Sequence, residues 1–153
     1  PNDPFSLSHD NIHALLIDRG GTLWVGTARG GLNHAYLRKP STFNTVTHSA
    51  FGLPRHELVV FSFEQASSDS IWVGTNHGLF LLDKVSKQIL GHWKEGKQVS
   101  GGLLGKTVMA ISQGKNNKII ISTNSCVNNK EFCINSINQV QVYFFPFIKV
   151  IQT

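Results

Sequence analysis

Leu23-Trp24-Val25-Gly26-Thr27 recurs as Ile71-Trp72-Val73-Gly74-Thr75 and, in weaker form, as Ile119-Ile120-Ile121-Ser122-Thr123, each copy 48 residues after the last. Five consecutive positions that keep their character twice over mark an internal repeat, and a period of this size belongs to arrays of supersecondary units. The flanks follow the same plan. Upstream, a leucine precedes by five residues an apolar position that opens a hydrophobic run: Leu7 and Ile12, Leu53 and Leu58, Leu103 and Val108. Their spacings of 46 and 50 drift about the period, as loop insertions between fixed strands would make them. Downstream, Gly31-Leu32 and Gly78-Leu79 answer one another, with Cys126-Val127 in that place in the third copy.

Each unit reads as a run of short strands. Ile12 to Ile17 is a mostly apolar stretch of strand length, ended by Asp18-Arg19-Gly20-Gly21, which is turn chemistry. Thr22 to Thr27 follows, rich in β-branched and aromatic residues. Gly30-Gly31, or His77-Gly78 in the second unit, makes the next turn, and a third strand shows most clearly in Leu79 to Leu82. Thr42 to Thr47 and Gln88 to Trp93 are the expected outer strands. Four short antiparallel strands in about 40–50 residues make one blade of a β-propeller. The expected fold is therefore all-β, a propeller segment of about three four-stranded blades. Residues 1–127 hold the repeats (about 7–52, 53–102 and 103–127 onward), and 128–153 form a divergent final blade or a tail. In this reading Gly26 and Gly74 give up a side chain where neighbouring backbones approach. Trp24 and Trp72 pack between blades. Thr27 and Thr75 close the repeated strand.

Composition agrees with a turn-rich β protein, since charged residues are only 15% of the 153 against an average of about 25%. The net charge of +5 is spread along the chain, with no run longer than Arg38-Lys39, so it lacks the clustered footprint of a nucleic-acid binder. Cys126 and Cys133 have no CxxC partner; a disulfide and two free thiols both stay open. Val140 to Ile151 is apolar but interrupted by Gln141, Pro146 and Lys149, too short to span a bilayer as a helix, which takes about 20 residues. A start at Pro1 without a leader is expected of an internal segment of a longer protein.

Ligands of propellers sit at loops beside the central channel. Arg29, His77 and Ser125 share one loop position after the repeated Thr, and His9-Asp10 and Arg55-His56-Glu57 share the loop entering the inner strand. These are the candidate binding residues. Apart from His9 and His13, four residues apart where the run from Ile12 reads as a strand and not a helix, no two of the seven histidines fall at a recognised metal spacing, and neither metal nor cofactor is expected. Gly101-Gly102-Leu103-Leu104-Gly105-Lys106 lacks the spacing of a phosphate loop and reads as an inter-blade linker. No GxSxG elbow is present.

The pattern Leu-Ser-x-x-x-Ile-x-Ala-Leu-x-x-Asp-x-x-Gly-x-Leu-Trp-Val-Gly-Thr-x-x-Gly-Gly-Leu-Asn over Leu7 to Asn33 resembles the two-component regulator propeller repeat. The second copy, Leu53 to Phe80, matches more loosely, with Glu64 near the place of Asp18 and two extra residues before Trp72. The third is weak, with Ile120, Ser122 and Cys126 at the signature positions. The resemblance implies a periplasmic sensor module, non-catalytic itself. Such a module is joined through a transmembrane helix outside these residues to a histidine kinase or diguanylate cyclase output, with carbohydrate or another small molecule as signal. Three blades do not close a ring of typically four to eight. The single chain is thus expected to be incomplete, and to self-associate or continue into further blades. Two rival readings are a propeller lyase resembling the streptogramin-inactivating type, for which His77 and Glu57 are the only residues to offer, and a structural interaction propeller. The Gly-His and Trp-Asp signatures of the latter are missing.

Overall fold

The computed structural model describes residues 3, 5–38, 42–54, 56–96, 103, 105–113, 119–124, 133–137 and 143–144. They form three four-stranded antiparallel sheets, each a simple meander. The first holds β1 (Ile12–Ile17), β2 (Thr22–Thr27), β3 (Gly31–Tyr36) and β4 (Asn44–Val46). The second holds β5 (Val60–Gln65), β6 (Ser70–Thr75), β7 (Gly78–Asp83) and β8 (Ile89–Trp93). In the third, β9 (Val108–Gln113) and β10 (Ile119–Thr123) are followed by β11 (Cys133–Ile137) and β12 (Tyr143–Phe144). The all-β fold of stacked four-stranded blades is as the repeat requires. The outer strands of the third blade come from beyond Val127, where the repeat is no longer legible. Cys126 lies outside the described residues.

The blades stack through their first strands: β5 packs on β1 and β2, and β9 on β5 and β6. Two buried cores result. Trp24, Leu32, Val46 and Phe51 meet Leu58, Val60, Ile71, Val73, Phe80 and Leu82 between the first two blades. Leu79, with Trp72 and Trp93 against it, meets Leu103, Val108, Ile119 and Ile121 between the second and third. Alternation explains the division. Trp72 and Gly74 point from β6 toward the third blade, while Ile71 and Val73 point back to the first.

The glycine of the repeat sits at each junction. A Cβ on Gly26 would lie 2.6 Å from Val60 Cγ1, and one on Gly74 would lie 2.9 Å from Val108 Cγ1. Only hydrogen fits there. Thr27 Oγ1 and Thr75 Oγ1 each donate to the carbonyl of the glycine opening the next strand, Gly31 and Gly78, at 2.9 Å. Both glycines adopt positive φ (80° and 109°), which a side chain would oppose.

Two expectations about register change. The inner strand of the second blade opens at Val60, not Leu58, and a one-residue bulge follows the first residue of β1, β5 and β9 alike. Ile12, Val60 and Val108 therefore keep the 48-residue period without drift. Leu58 belongs to the entering loop and is buried in the core because it lies against the first blade. The two extra residues before Trp72 lie in the loop entering β5, since Leu53 to Val60 is two positions longer than Leu7 to Ile12, and not between the turn and Trp72. The turns 18–22 and 66–70 have equal length, closed by the Asp18 N–H to the Thr22 carbonyl (3.0 Å) and the Ala66 N–H to that of Ser70 (3.1 Å). Ala66, not Glu64, stands in the place of Asp18; Glu64 lies across from Trp72 in the ladder.

Candidate functional site

Asp18 shows which polar residues the fold itself consumes. Its carboxylate accepts the backbone N–H groups of Gly20 (2.8 Å) and Thr22 (3.0 Å) and the Trp24 indole N–H (3.0 Å). It also pairs with Lys84 Nζ at 3.0 Å, reaching across from the β7–β8 turn of the next blade. Lys87 lies over the Trp24 ring, 4.6 Å from its centroid. This edge is a ligature between blades. Burial acts to raise the Asp18 pKa, but hydrogen bonds from Trp24 and Thr22 and the Lys84 charge outweigh it and hold it below the ordinary value.

The opposite edge carries the candidate binding residues. The loops entering β1, β5 and β9 and the β2–β3 and β6–β7 turns all open there, as the meander dictates. On the first blade, His9 Nδ1 accepts the Asn11 N–H at 3.0 Å, so this imidazole shapes its own loop. Asp10 and Arg29 are exposed, Arg29 at a left-handed φ of 66°. Asn33, wholly buried, ties the N-terminal stretch to the sheet: its carbonyl oxygen accepts from Ser8 N–H and Thr45 Oγ1, and its amide donates to Ser8 Oγ. On the second blade, His56 is exposed at φ 65°, and Arg55, like Ser125, lies outside the described residues. Asn76 fixes the loop, accepting the Val59 N–H and donating to the Glu57 carbonyl.

Of the expected residues, the fold brings His77 and Glu57 together. His77 Nε2 is 3.8 Å from Glu57 Oε2, an electrostatic neighbour beyond hydrogen-bond reach. Beside them an open cleft of about 250 Å³ is lined by Leu53, His77, His92, Lys94, Glu95 and Lys106. His92 stacks on Phe80 with ring centroids 3.7 Å apart, and its Nε2 lies 2.8 Å from the His77 carbonyl oxygen. Burial pushes the His77 pKa down, Lys106 and Lys94 add to this, and Glu57 opposes them. Burial also lowers His92, with Lys94 and His77 acting the same way against the hydrogen bond to the His77 carbonyl. The connection to the third blade is pinched at its base by backbone bonds, from Leu103 N–H to the Lys94 carbonyl (3.0 Å) and from Gly96 N–H to that of Leu103 (3.2 Å). Buried Leu103 anchors this pinch in the core, and Lys106 and Lys94 line the same cleft. Among the described residues no group of three His, Cys, Asp or Glu side chains converges as for a metal ion.

His92, Lys94 and Glu95 were not singled out in the sequence, and Lys106 was read only as the end of an inter-blade linker. The signal present was positional: the outer strand and the linker both end on the same edge as the turn bearing His77.

Residues 6–29 match the family described as two component regulator propeller, in agreement with the resemblance carried by the first repeat. Among solved structures, the chain is similar to the extracellular domain of BT3049 of B. thetaiotaomicron, described as a hybrid two component system. That match has 23% identity and a TM-score of 0.67 over 90% of this chain and 17% of that one. It is similar also to the extracellular domain of BT4673 of the same organism, described as a one component system, at 18% identity and TM-score 0.62, over 99% of this chain and 18% of that one. U3-55K shares the fold at 11% identity and TM-score 0.60, over 90% of this chain and 40% of that one. The chain thus spans under a fifth of the first two. No curated protein matches its sequence. These likenesses establish a propeller-type fold. Among the described residues no helix is long and apolar enough to cross a membrane.

Proposed function

We propose that this chain is part of the periplasmic sensory propeller of a two-component-type signalling protein, non-catalytic itself, which holds a carbohydrate or other small-molecule signal at its loop edge. The observation that carries the reading is the division of labour between the two edges. The residues of the family pattern, Asp18, Trp24, Gly26 and Thr27, are used up in joining blades and turns. On the other edge His77, His92, Lys94, Glu95 and Lys106 line a cleft between the second and third blades. The family match over residues 6–29 supports the same assignment. A kinase or diguanylate cyclase output would lie outside these residues.

A signal bound across that cleft would act by changing how two blades pack. It must favour one arrangement, because equal affinity for both shifts nothing. Leu15 and Ile17, exposed at 63% and 62% on β1, occupy the face that in the second blade packs on its neighbour. A further blade of a longer chain, or a second copy, would cover them.

Fusions of the longer protein to alkaline phosphatase test the location, with strong activity expected because that enzyme matures only outside the cytoplasm. Inactive fusions at this segment would overturn the reading. A thermal-shift screen of the chain against oligosaccharides and small metabolites tests binding, and sedimentation velocity tests association.

A further inference from the structure

The cleft between the second and third blades has a chemical bias. His77 feels Lys106 and Lys94 against Glu57, and His92 feels Lys94. Lys94, Lys106 and Glu95 are all exposed on the rim of the cleft, so solvent screens the three alike. Among the described lining residues the lysines outnumber the glutamate two to one, and the lining carries a net positive charge. Among the described lining residues Leu53 is apolar, and His92 spends one nitrogen on the His77 carbonyl. The lysines stand at the two ends of the β8–β9 connection, which the backbone bonds among Lys94, Gly96 and Leu103 draw back toward the same cleft.

We propose that this cleft binds a small oxyanion, carboxylate, sulfate or phosphate, between Lys94 and Lys106, with the His77 and His92 rings as hydrogen-bond donors to it. The proposal names the ligand class of the site in the sensory reading. It rests on that reading only for the word signal, since binding is measured on the isolated chain. Burial and Lys94, joined at His77 by Lys106, lower both imidazoles and favour their neutral forms. An anion beside them restores the charged form, so a proton enters with the ligand. Facing these rings are Glu57 from the loop before β5, Lys94 and Glu95 after β8, and Lys106 before β9. Glu57 competes with the ligand for His77.

Titration with sodium sulfate at constant ionic strength, followed by nuclear magnetic resonance of the imidazole and backbone signals, tests the proposal; sulfate keeps its charge between pH 5.5 and 7.5. Shifts are expected at His77, His92, Lys94 and Lys106. If one imidazole gains a unit of pKa on binding, affinity rises up to about tenfold on going to the lower pH. Lys106→Met should weaken binding, Glu57→Gln should tighten it, and His77→Gln with His92→Gln should leave weaker binding without the pH dependence. Shifts spread evenly over the surface lysines, a Lys106→Met chain that binds as well as the parent, or a flat pH profile in the parent would overturn the proposal. If sulfate binds as expected but the phosphatase fusions are inactive, the oxyanion site stands and the sensory reading falls.

Discussion

Replacing Gly26 by alanine probes the contact that sets the spacing of the first two blades. The added Cβ would meet Val60 Cγ1 at 2.6 Å, Val60 Cβ at 2.9 Å and the Val60 carbonyl oxygen at 3.1 Å. Carbon atoms in contact settle about 3.5–4.0 Å apart, so the overlap is about 1 Å. A rotamer change at Val60 moves only the first of these atoms; the others are fixed to β5, and relief requires the blades to part. Overpacking of a close-packed core costs about 1–3 kcal/mol, and the rigid neighbours place this site near the top of that range. Gly26 is not held at positive φ, so alanine adds no backbone strain and recovers about 0.5–1 kcal/mol of chain entropy. The net expectation is a loss of about 2 kcal/mol, or about 4–8 °C in Tm for a chain of this length. Val60→Ala removes two buried methyls, costing about 1.6 kcal/mol alone. Because it also removes the closest overlap, the double variant should be about 1 kcal/mol more stable than the sum of the two single losses. Urea unfolding followed by tryptophan fluorescence measures all four corners of the cycle. A Gly26→Ala chain within 0.5 kcal/mol of the parent, or strict additivity, would refute the argument that this glycine exists for the neighbouring blade.

Asp18→Asn should cost about 3 kcal/mol at neutral pH, because it leaves Lys84 buried without its counter-charge. Since the folded pKa of Asp18 lies below its ordinary value, the stability it contributes is complete above that value and is lost as pH falls through the folded one. The variant should therefore show a flatter acid limb in urea unfolding against pH. His34, packed against Trp24 at 5.2 Å, has its pKa pushed down to about 4 by burial and by the charge of Lys87. The unfolded chain takes up the proton first, so stability should fall from about pH 6.5 toward pH 4; His34→Gln should remove that slope in the same titration. Leu15→Ala should change stability by less than about 0.5 kcal/mol. Ile71→Ala, inside the core between blades, should cost about 2–5 kcal/mol by the same measurement.

The strand order was legible because β2 and β6 must each present a large side chain and a missing one to the next blade, and those demands recur in sequence as Trp24 with Gly26 and Trp72 with Gly74. The start of β5 was not. Leu58-Val59-Val60-Phe61 is one apolar run without punctuation, and only the bulge and the Val60 contact with Gly26 decide its register. The role of Asp18 was hidden by its failure to repeat. Ala66 takes its place in the second blade, where Ser67 and Ser70 bond to each other instead. Lys84 and Lys87, in the turn after β7, carry no repeat signature, and both fold back onto the first blade. At the candidate site, the loops bearing His77 and Glu57 could be aligned through the repeat. His92 and Lys94 close an outer strand and Lys106 ends a glycine-rich linker, where the repeat fixes nothing. Their convergence depends on the pinch at Leu103, a backbone contact that no side-chain pattern announces.

The weakening of the third copy has a physical reading of the same kind. Glycine is demanded at positions 26 and 74 by Val60 and Val108, which stand opposite. Among the described residues no inner strand stands opposite position 122, and there a serine is accommodated, half-buried, next but one to Ile120 in the tryptophan position. A sheet stacked on β9 and β10 at the spacing of the first junction would bring a side chain as near to the Ser122 Cβ as the 2.6 Å found for Gly26. Whatever adjoins that face must therefore stand further off or lack a side chain of its own at the contact. The third blade keeps the strand order of the other two without keeping the seat for an identical neighbour. Whether a surface can receive another blade is thus written in one residue of the repeat, and it is a separate question from whether the sheet folds.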